Sequence, residues 1–585
     1  MLFRSQIPHQ WATAQTLHEF PLADVQLTTA WLQERERLDT TFLNSVDVDR
    51  LLHCFRLTAG LPSEAQPLTG WEAPSIGLRG HFTGHYLSAL STLVFRYHDA
   101  AQTERLRYLI DELGRCQQAN GYLSAFPEQD FDTLEKNITF GVWAPYYTLH
   151  KLMQGLLDAY QLAGNETSLT IVRRMADWAC QRMERLAPEL RERLLETRQA
   201  NPANETGAMN EVLFRLYAVT GDKTYLALAR TFSPEWLLKP LEHGEDILSG
   251  LHANTHLVLV NGFAQGYEQT GDERYCRATL NFWDMLLSGH TYVNGSSSGP
   301  RPNATTRTSM TAEHWGEAGH LSNTLSTEIA ESCVSHNTLR LASYLFSWTG
   351  DARYADAAQN LFYNAVLPVQ SPSNGDVVYH LPLGTPRTKK YLNPTDFYCC
   401  SGSSTEAFTR LAAGTYWHTD TVLYVNRLMP SVLDWKERGI RIEQTGNFPM
   451  DSVVSIKVHT RKRQHFSLRV LIPSWESGKA RYQTYSQQWR DGDEVRIVLH
   501  PRFRLETLSG DPRRVAVCYG PLLLAFEGGE ELAELPLKRD EMLQALRVDN
   551  LAEGRFSLQL PDQTLHLRPL FTIDREAYSV YVGIQ

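Results

Sequence analysis

The feature that most constrains this chain is a punctuation mark repeated through its first two thirds. Thr220-Gly221-Asp222 is followed by Tyr225, Thr270-Gly271-Asp272 by Tyr275, and Thr349-Gly350-Asp351 by Tyr354, with a weaker Ala163-Gly164-Asn165 upstream. Each reads as the corner of a helical hairpin. Glycine takes the left-handed conformation that ends one helix, the Asp or Asn after it caps the next, and the tyrosine packs into the hairpin. Successive glycines lie 57, 50 and 79 residues apart, room for two helices and their loops, the longest interval holding an extra segment from Gly295 to Glu317. Stacked helix pairs follow, as an open solenoid or a closed ring; periodicity does not choose between them, although a ring leaves a central cleft for a site.

Beyond about Gly414 the apolar pattern changes to period two, in Val422–Val425, Ile440–Ile442, Val453–Val458, Phe466–Ile472, Val495–Leu499 and Val515–Phe526. Strands joined by short turns at Gly439, Gly446, Gly478, Gly492 and Gly510 make an antiparallel sandwich. A last stretch from Glu530 to Gln585 is again β-rich but starts Glu-rich, as a linker or a small module would. The expected units are therefore a helical domain over 1–413, a sandwich over 414–529 and a small β-rich module over 530–585.

With 585 residues, 42% of them hydrophobic, and 13 Trp, 25 Tyr and 23 Phe, the chain has ample core and is not disordered. A net charge of -10 without a basic run excludes a nucleic-acid surface and points to a neutral partner. The opening residues MLFRSQIPHQWATAQTLHEF lack the apolar stretch of a signal peptide, and no later segment is long and apolar enough to cross a bilayer. The expected location is the cytoplasm, with no membrane partner; a homodimer is compatible with this reading.

Chemistry concentrates in two places, Glu331-Ser332-Cys333 and the adjacent Cys399 and Cys400. Three thiolates and a carboxylate form a zinc-ligand set, and neighbouring cysteines turn onto one metal more easily than they join in a disulfide. Each pair sits at a helix entrance: Leu339, Ala342, Leu345 and Phe346 recur at helical spacing after Cys333, while Ser403 to Glu406 reads as a capping box opening a helix through Phe408 and Leu411. Helix N-termini favour thiolates. The spacing alone fits equally well a purely structural zinc or four unrelated buried residues. Cys54, Cys116, Cys180, Cys276 and Cys518 are scattered singly, as reduced core thiols are.

Further motifs carry a resemblance. GLRGHFTGHYLSAL (Gly77 to Leu90), GYLSAFP (Gly121 to Pro127), YYTLHKLMQGLLDAY (Tyr146 to Tyr160), GAMNE (Gly207 to Glu211), HANTH (His252 to His256), ESCVSHNTL (Glu331 to Leu339) and the double cysteine jointly resemble the β-L-arabinofuranosidases of glycoside hydrolase family 127 and the related family 146. The resemblance runs through most of the chain. It implies an (α/α)6 barrel followed by antiparallel β-sandwich domains, a zinc held by Glu331, Cys333, Cys399 and Cys400, an oligosaccharide or glycoside substrate, and a retaining mechanism with cysteine as nucleophile. Ser401 to Glu406 departs from the Gly-Thr-Gly-Met-Glu-Asn or Pro-Pro-Asn usual at that place, so the motifs carry the chemistry further than the identity of the sugar.

Retaining hydrolysis needs a nucleophile at the anomeric carbon and an acid/base group on the leaving oxygen. The resemblance assigns these to Cys399 and, through Trp315 to Ala318, to Glu317, with Glu313 and Glu328 as rivals. His150 and His252 match sugar-binding positions. His81 with His85, and His252 with His256, have metal-ligand spacing on a helix but lack the glutamate of a helical zinc protease site, so packing or substrate contact is their expected role. Asn210, Glu211, Tyr86 and Tyr122 either bind hydroxyls or line the barrel. Two other readings remain: the same chemistry on another furanoside or an unusual deoxy sugar, and a non-catalytic oligosaccharide-binding protein with structural zinc.

Overall fold

The computed structural model describes residues 17–136, 142–198, 203–302, 312–384, 386–528 and 534–585. Within them the Thr-Gly-Asp corners are helical hairpins. Met209–Thr220, Ala253–Thr270 and Ser332–Thr349 end on Gly221, Gly271 and Gly350, all in the left-handed region. Asp222, Asp272 and Asp351 then cap Lys223–Thr231, Glu273–Met285 and Ala352–Leu361, accepting from the amides of Thr224, Arg274 and Arg353. Gly164 and Asn165 do the same between Pro145–Ala163 and Glu166–Glu184. A further corner joins His81–Tyr97 to Ala100–Cys116 through His98, at φ 51°, and the cap Asp99. A histidine in the glycine position leaves no pattern to read, which is why the repeat passes over it.

The first helix of each pair lies inside, buried on nearly every face, and the second is amphipathic. Among the inner helices, His81–Tyr97 packs on Pro145–Ala163, and the contacts continue through Met209–Thr220, Ala253–Thr270, Ser332–Thr349 and Cys399–Phe408 back to His81–Tyr97. Two of these contacts are made backbone to backbone or nearly so. A Cβ on Gly84 would stand 2.2 Å from the Lys151 carbonyl, and one on Gly402 would stand 2.2 Å from His85 Cδ2. Gly402→Ala should therefore push Cys399–Phe408 off its neighbour at a cost of about 1–3 kcal/mol. A lower denaturation midpoint in urea checks this; an unchanged midpoint would mean the helix recedes freely.

Two five-stranded sheets bury a common core that includes Leu423, Val470, Ile442 and Ile456. One edge strand of each is N-terminal: His18–Glu19, paired with Tyr416–His418, and Val25–Leu27, paired with Ser431–Trp435. Strands from inside the expected 1–413 unit thus complete the two sheets, which depart from the expected all-antiparallel pattern where Gln464–Ile472 pairs parallel with Val422–Val425. A third, eight-stranded sheet joins Phe503–Leu508, Asp511–Tyr519 and Leu522–Glu527 to five strands of the C-terminal stretch. Leu522–Glu527 pairs with Thr564–Pro569 and with Tyr578–Ser579, so the boundary expected at 529/530 falls within one sheet. The Glu-rich start of the last module, at 530–533, the first sixteen residues, and 303–311 of the extra segment lie outside the described residues.

This third sheet has a structural duty toward the helices. Leu523, Ala525, Ile573 and Tyr578 share a core with Leu321, Ile329, Ala330 and Leu381, and the Tyr578 hydroxyl donates to the Pro382 carbonyl at 2.7 Å. It thereby buttresses the two chain segments on either side of the site described next. Among the described residues no helix is long and apolar enough to cross a membrane.

Candidate active site

Glu331 is the residue before helix Ser332–Thr349, Cys333 lies in that helix's first turn, and Cys399 and Cys400 open helix Cys399–Phe408. All three thiols therefore sit where a helix presents unpaired amides and positive dipole, which favours the thiolate. Each entrance is reached through a strained turn. Ala330 and Phe397 have φ of 53° and 48°, a left-handed conformation that costs non-glycine residues of order 1–3 kcal/mol and persists only where surroundings impose it. At Glu331 the imposition is visible: its amide donates to Ser298 Oγ at 2.8 Å, the Ser332 amide donates to the Tyr379 carbonyl at 3.0 Å, and Glu331 bridges His380 as a strand would. Nothing in the residue types of Ala330 and Phe397 signals that strain.

One ligand atom from each of Glu331, Cys333, Cys399 and Cys400 lies within 4.8 Å of the others. Cys400 Sγ is 3.3 Å from Cys333 Sγ, 3.9 Å from Cys399 Sγ and 3.9 Å from Glu331 Oε1. Glu331 Oε2 is buried and has no hydrogen-bond partner among the described residues. Burial pushes the Glu331, Cys333 and Cys400 groups well above their ordinary pKa values. Hydrogen bonds from Cys333 and Cys400 hold Cys399 well below the thiol range against its own burial. Four such donors at this spacing do not all ionise unless a cation joins them, and three sulfurs with a carboxylate are ligand types that zinc takes.

The expected capping box at Ser403 to Glu406 is a correction. The helix has already begun at Cys399, and Glu406 turns inward, accepting from His85 Nδ1 at 2.5 Å and from Gln154 Nε2 at 3.3 Å, with His336 Nε2 at 3.7 Å. The charges of His85 and Lys151 and the hydrogen bonds from His336 and His85 overcome burial and keep that carboxyl well below its usual range.

Above the four donors lies a cavity of about 940 Å³. Cys399 is 8% exposed and lines it, whereas Cys333 and Cys400 are 1% and 0% exposed and lie behind. Trp71, Trp143, Tyr147 and Tyr398 form an aromatic wall, Trp71 standing 4.8 Å from Trp143 and 4.9 Å from Tyr398 between ring centroids. Across it is a polar chain: the Tyr379 hydroxyl is 3.4 Å from Cys399 Sγ and donates to Glu313 Oε1, and Glu313 Oε2 is 2.8 Å from His252 Nε2. Burial depresses the His252 pKa, but the Glu313 hydrogen bond and charge outweigh it and the net shift is upward. Because sulfur and carboxylate touch one hydroxyl, they lie within about 6 Å of each other, close to the spacing of catalytic pairs in retaining glycosidases.

Glu317 is not part of this arrangement. The extended segment His314–Trp315 pairs with Ser298–Gly299 and carries Glu313 into the cavity; after it the chain turns, and Glu317 sits exposed on the turn that returns through His320. Four residues along, the same segment has left the cavity for the surface. Glu328 lines the cavity with Thr327. His150 does not line it; it is buried beneath Gly207, where a Cβ would stand 2.6 Å from His150 Nδ1.

The remaining sequence candidates lie outside this cavity. Tyr86 donates to the Leu43 carbonyl, Tyr122 to that of Phe126, and Asn210 to that of Leu259. Glu211 accepts from Arg340 and Tyr344, and His256 lies between the His252 carbonyl and Thr197. His81 meets Glu72 Oε1 at 2.7 Å. Sequence reasoning missed Tyr379, and also Glu205, a cavity-lining carboxyl whose pKa burial raises although His252 opposes it. Tyr379 lies in no motif; only its place opposite Cys399 reveals it.

Known proteins resemble this chain over most of its length. The family described as β-L-arabinofuranosidase, GH127 catalytic domain, matches residues 24–413, and the GH127 middle domain matches 422–484. A non-reducing end β-L-arabinofuranosidase of Bifidobacterium longum subsp. longum is 23% identical over 432 residues, 63% of this chain. The chain spans 60% of the length of that curated relative. A solved GH127 β-arabinofuranosidase is similar over 99% of both chains, with a TM-score of 0.75 at 18% identity. A GH127 β-L-arabinofuranosidase from Geobacillus stearothermophilus T6 is similar over 96% of this chain and 100% of its own, with a TM-score of 0.72 at 18% identity. At such identities the structural likeness speaks for the fold.

Proposed function

Since this chain belongs to the GH127 β-L-arabinofuranosidase family and is a glycosidase, we propose that it releases L-arabinose from non-reducing terminal β-L-arabinofuranosides with retention, Cys399 acting as nucleophile and Glu313 as acid/base. The cycle of inner helices, each backed by a second, is read as an (α/α)6 barrel with its site at the N-terminal ends of the inner helices. One observation carries the chemical assignment: of three clustered sulfurs only Cys399 opens to the cavity, and it shares the Tyr379 hydroxyl with Glu313.

The donor set fits zinc. Sulfur separations of 3.3 and 3.9 Å lie around the roughly 3.8 Å edge of a tetrahedron with Zn–S bonds of about 2.3 Å. Glu331, Cys333, Cys399 and Cys400 would hold the ion. When bound, zinc keeps the Cys399 sulfur ionised near neutral pH and makes it a better leaving group. In the first half-reaction Cys399 Sγ attacks the anomeric carbon, the bond to the leaving oxygen breaks, and Glu313 donates its proton to that oxygen. In the second, Glu313 takes a proton from water, the water oxygen attacks the same carbon, and the C–S bond breaks to restore the thiolate. Two inversions give net retention. His252 and Tyr379 orient the Glu313 carboxylate, and the aromatic wall shields the sugar from bulk water.

One zinc per chain is the expected result of elemental analysis on protein purified under reducing conditions without chelator. Cys333→Ser should lose the metal and unfold at lower denaturant, because metal affinity is linked to folding. Metal-free protein of full activity would end this reading. Product analysis on β-L-arabinofuranosyl disaccharides tests the sugar assignment.

A further inference from the structure

Helix Cys399–Phe408 presents Cys399 to the first cavity at its N-terminal end, and its C-terminal end faces a second cavity of about 1070 Å³. This second space is lined by the far halves of the inner helices, among them Gln154, Gln265 and Arg340. It shares no lining residue with the catalytic cavity.

Its charged lining includes the carboxylates of Glu19, Glu268 and Glu273, Glu268 accepting from Trp348 Nε1 at 3.1 Å, and two further groups of residues. Along one side the charges are matched within the protein: Arg340 pairs with Glu211, which also accepts from the Tyr344 hydroxyl at 2.8 Å, and Arg215 pairs with Asp158 at 2.6 Å. These rows are electrically satisfied and present fixed donors and acceptors. Along the other side two guanidiniums are unmatched. Arg427 is 3% exposed; Nη1 donates to the Leu411 carbonyl at 3.0 Å, the group rests 4.3 Å above the Phe362 ring centroid, and Nε has no partner among the described residues. Arg410, just past the C-terminus of the nucleophile's helix, also has a buried Nε without a partner and no ion pair among the described residues. Glu19 feels the charge of both but pairs with neither, and its carboxylate instead accepts from the Gly414 amide at 2.5 Å.

A buried guanidinium without a direct ion pair is costly, and its planar fork matches carboxylate and phosphate oxygens in bidentate fashion. Matched rows of carboxylate, guanidinium and tyrosine hydroxyl suit neutral hydroxyl groups instead, since a net charge there would unbalance them. We propose that the second cavity is a binding site for a small anionic sugar, its carboxylate or phosphate held by Arg410 and Arg427 and its hydroxyls by the rows around Glu211 and Arg215. This site is separate from the catalytic one and does not depend on the glycosidase assignment.

Calorimetric titration of the whole protein tests it, with D-glucuronate and D-glucose 6-phosphate as the carboxylate and phosphate probes, and D-glucose and inorganic phosphate as controls. At least one anionic sugar should bind at one site per chain with a Kd of about 1 mM or tighter. Arg410→Gln should weaken that binding at least about tenfold while leaving aryl-glycoside hydrolysis within about twofold of the parent. Arg427→Lys provides a second reading with charge retained and the fork removed, and should also weaken binding. Failure of both anionic sugars to bind overturns the proposal, as does D-glucose binding equally well. Inorganic phosphate matching the hexose phosphate would overturn the sugar half. Binding that survives Arg410→Gln but falls in Glu313→Gln would locate the anion in the catalytic cavity and also overturn it.

Discussion

Cys399→Ser protein should fail to turn over even an activated aryl β-L-arabinofuranoside, with a loss above about 10³-fold. A serine hydroxyl at this position stays protonated near neutral pH and is a far poorer nucleophile than a thiolate, and no second sulfur reaches the cavity to replace it. Loss of activity alone does not separate attack from metal binding, because Cys399 belongs to both arrangements. Metal content measured on the same sample does so: a variant that keeps its ion and is inactive isolates the nucleophile. The more direct observation is covalent. Trapping the parent with an electrophilic arabinofuranose analogue should leave one pentose-sized adduct, located by peptide mass spectrometry on Cys399. An adduct on Cys400 would contradict the geometry, in which that sulfur is fully buried behind Cys399.

The helical hairpins were legible because a left-handed glycine followed by a capping aspartate is a local requirement, satisfied by neighbouring residues whatever the rest of the chain does. The same logic explains the corner that was not legible, where His98 takes the left-handed turn without glycine's signature. Glu331, Cys333, Cys399 and Cys400 could be grouped from sequence because few chemistries call for three thiols and a carboxylate at two helix entrances, and the four do converge. The proposed acid/base residue was harder. Glu313 and Glu317 lie four residues apart on either side of a buried strand, and which one faces the cavity depends on where that strand stops, set by its pairing with Ser298–Gly299. Motif similarity weighted the Trp315 side, and no local pattern encodes the turn. The boundary between the last two modules was illegible for a related reason. Period-two strands declare themselves, but the partner of Leu522–Glu527 lies some forty residues on, and sheet membership is decided by that long-range pairing.

Glu313→Gln should damage hydrolysis of a natural disaccharide by about 10²- to 10⁴-fold, and glycosylation by a nitrophenyl substrate far less. The difference arises because an alkoxide leaving group needs the proton that Glu313 supplies, whereas nitrophenolate departs with little help. In the second half-reaction the roles reverse: water needs a base, so the variant should accumulate the Cys399 thioglycoside even from the activated substrate. Azide needs no base. It should therefore attack that intermediate directly, raise the turnover of the variant, and yield a glycosyl azide of retained configuration. Glu317→Gln serves as the internal comparison, since its exposed side chain on the turn beyond Trp315 contributes nothing to the cavity, and should leave both substrates within about twofold of the parent. Equal losses on both substrates in Glu313→Gln without azide rescue would remove the acid/base role from Glu313. A glutamine there still contacts His252 and Tyr379, so such a result would point to Glu328, the remaining rival carboxylate that lines the same cavity.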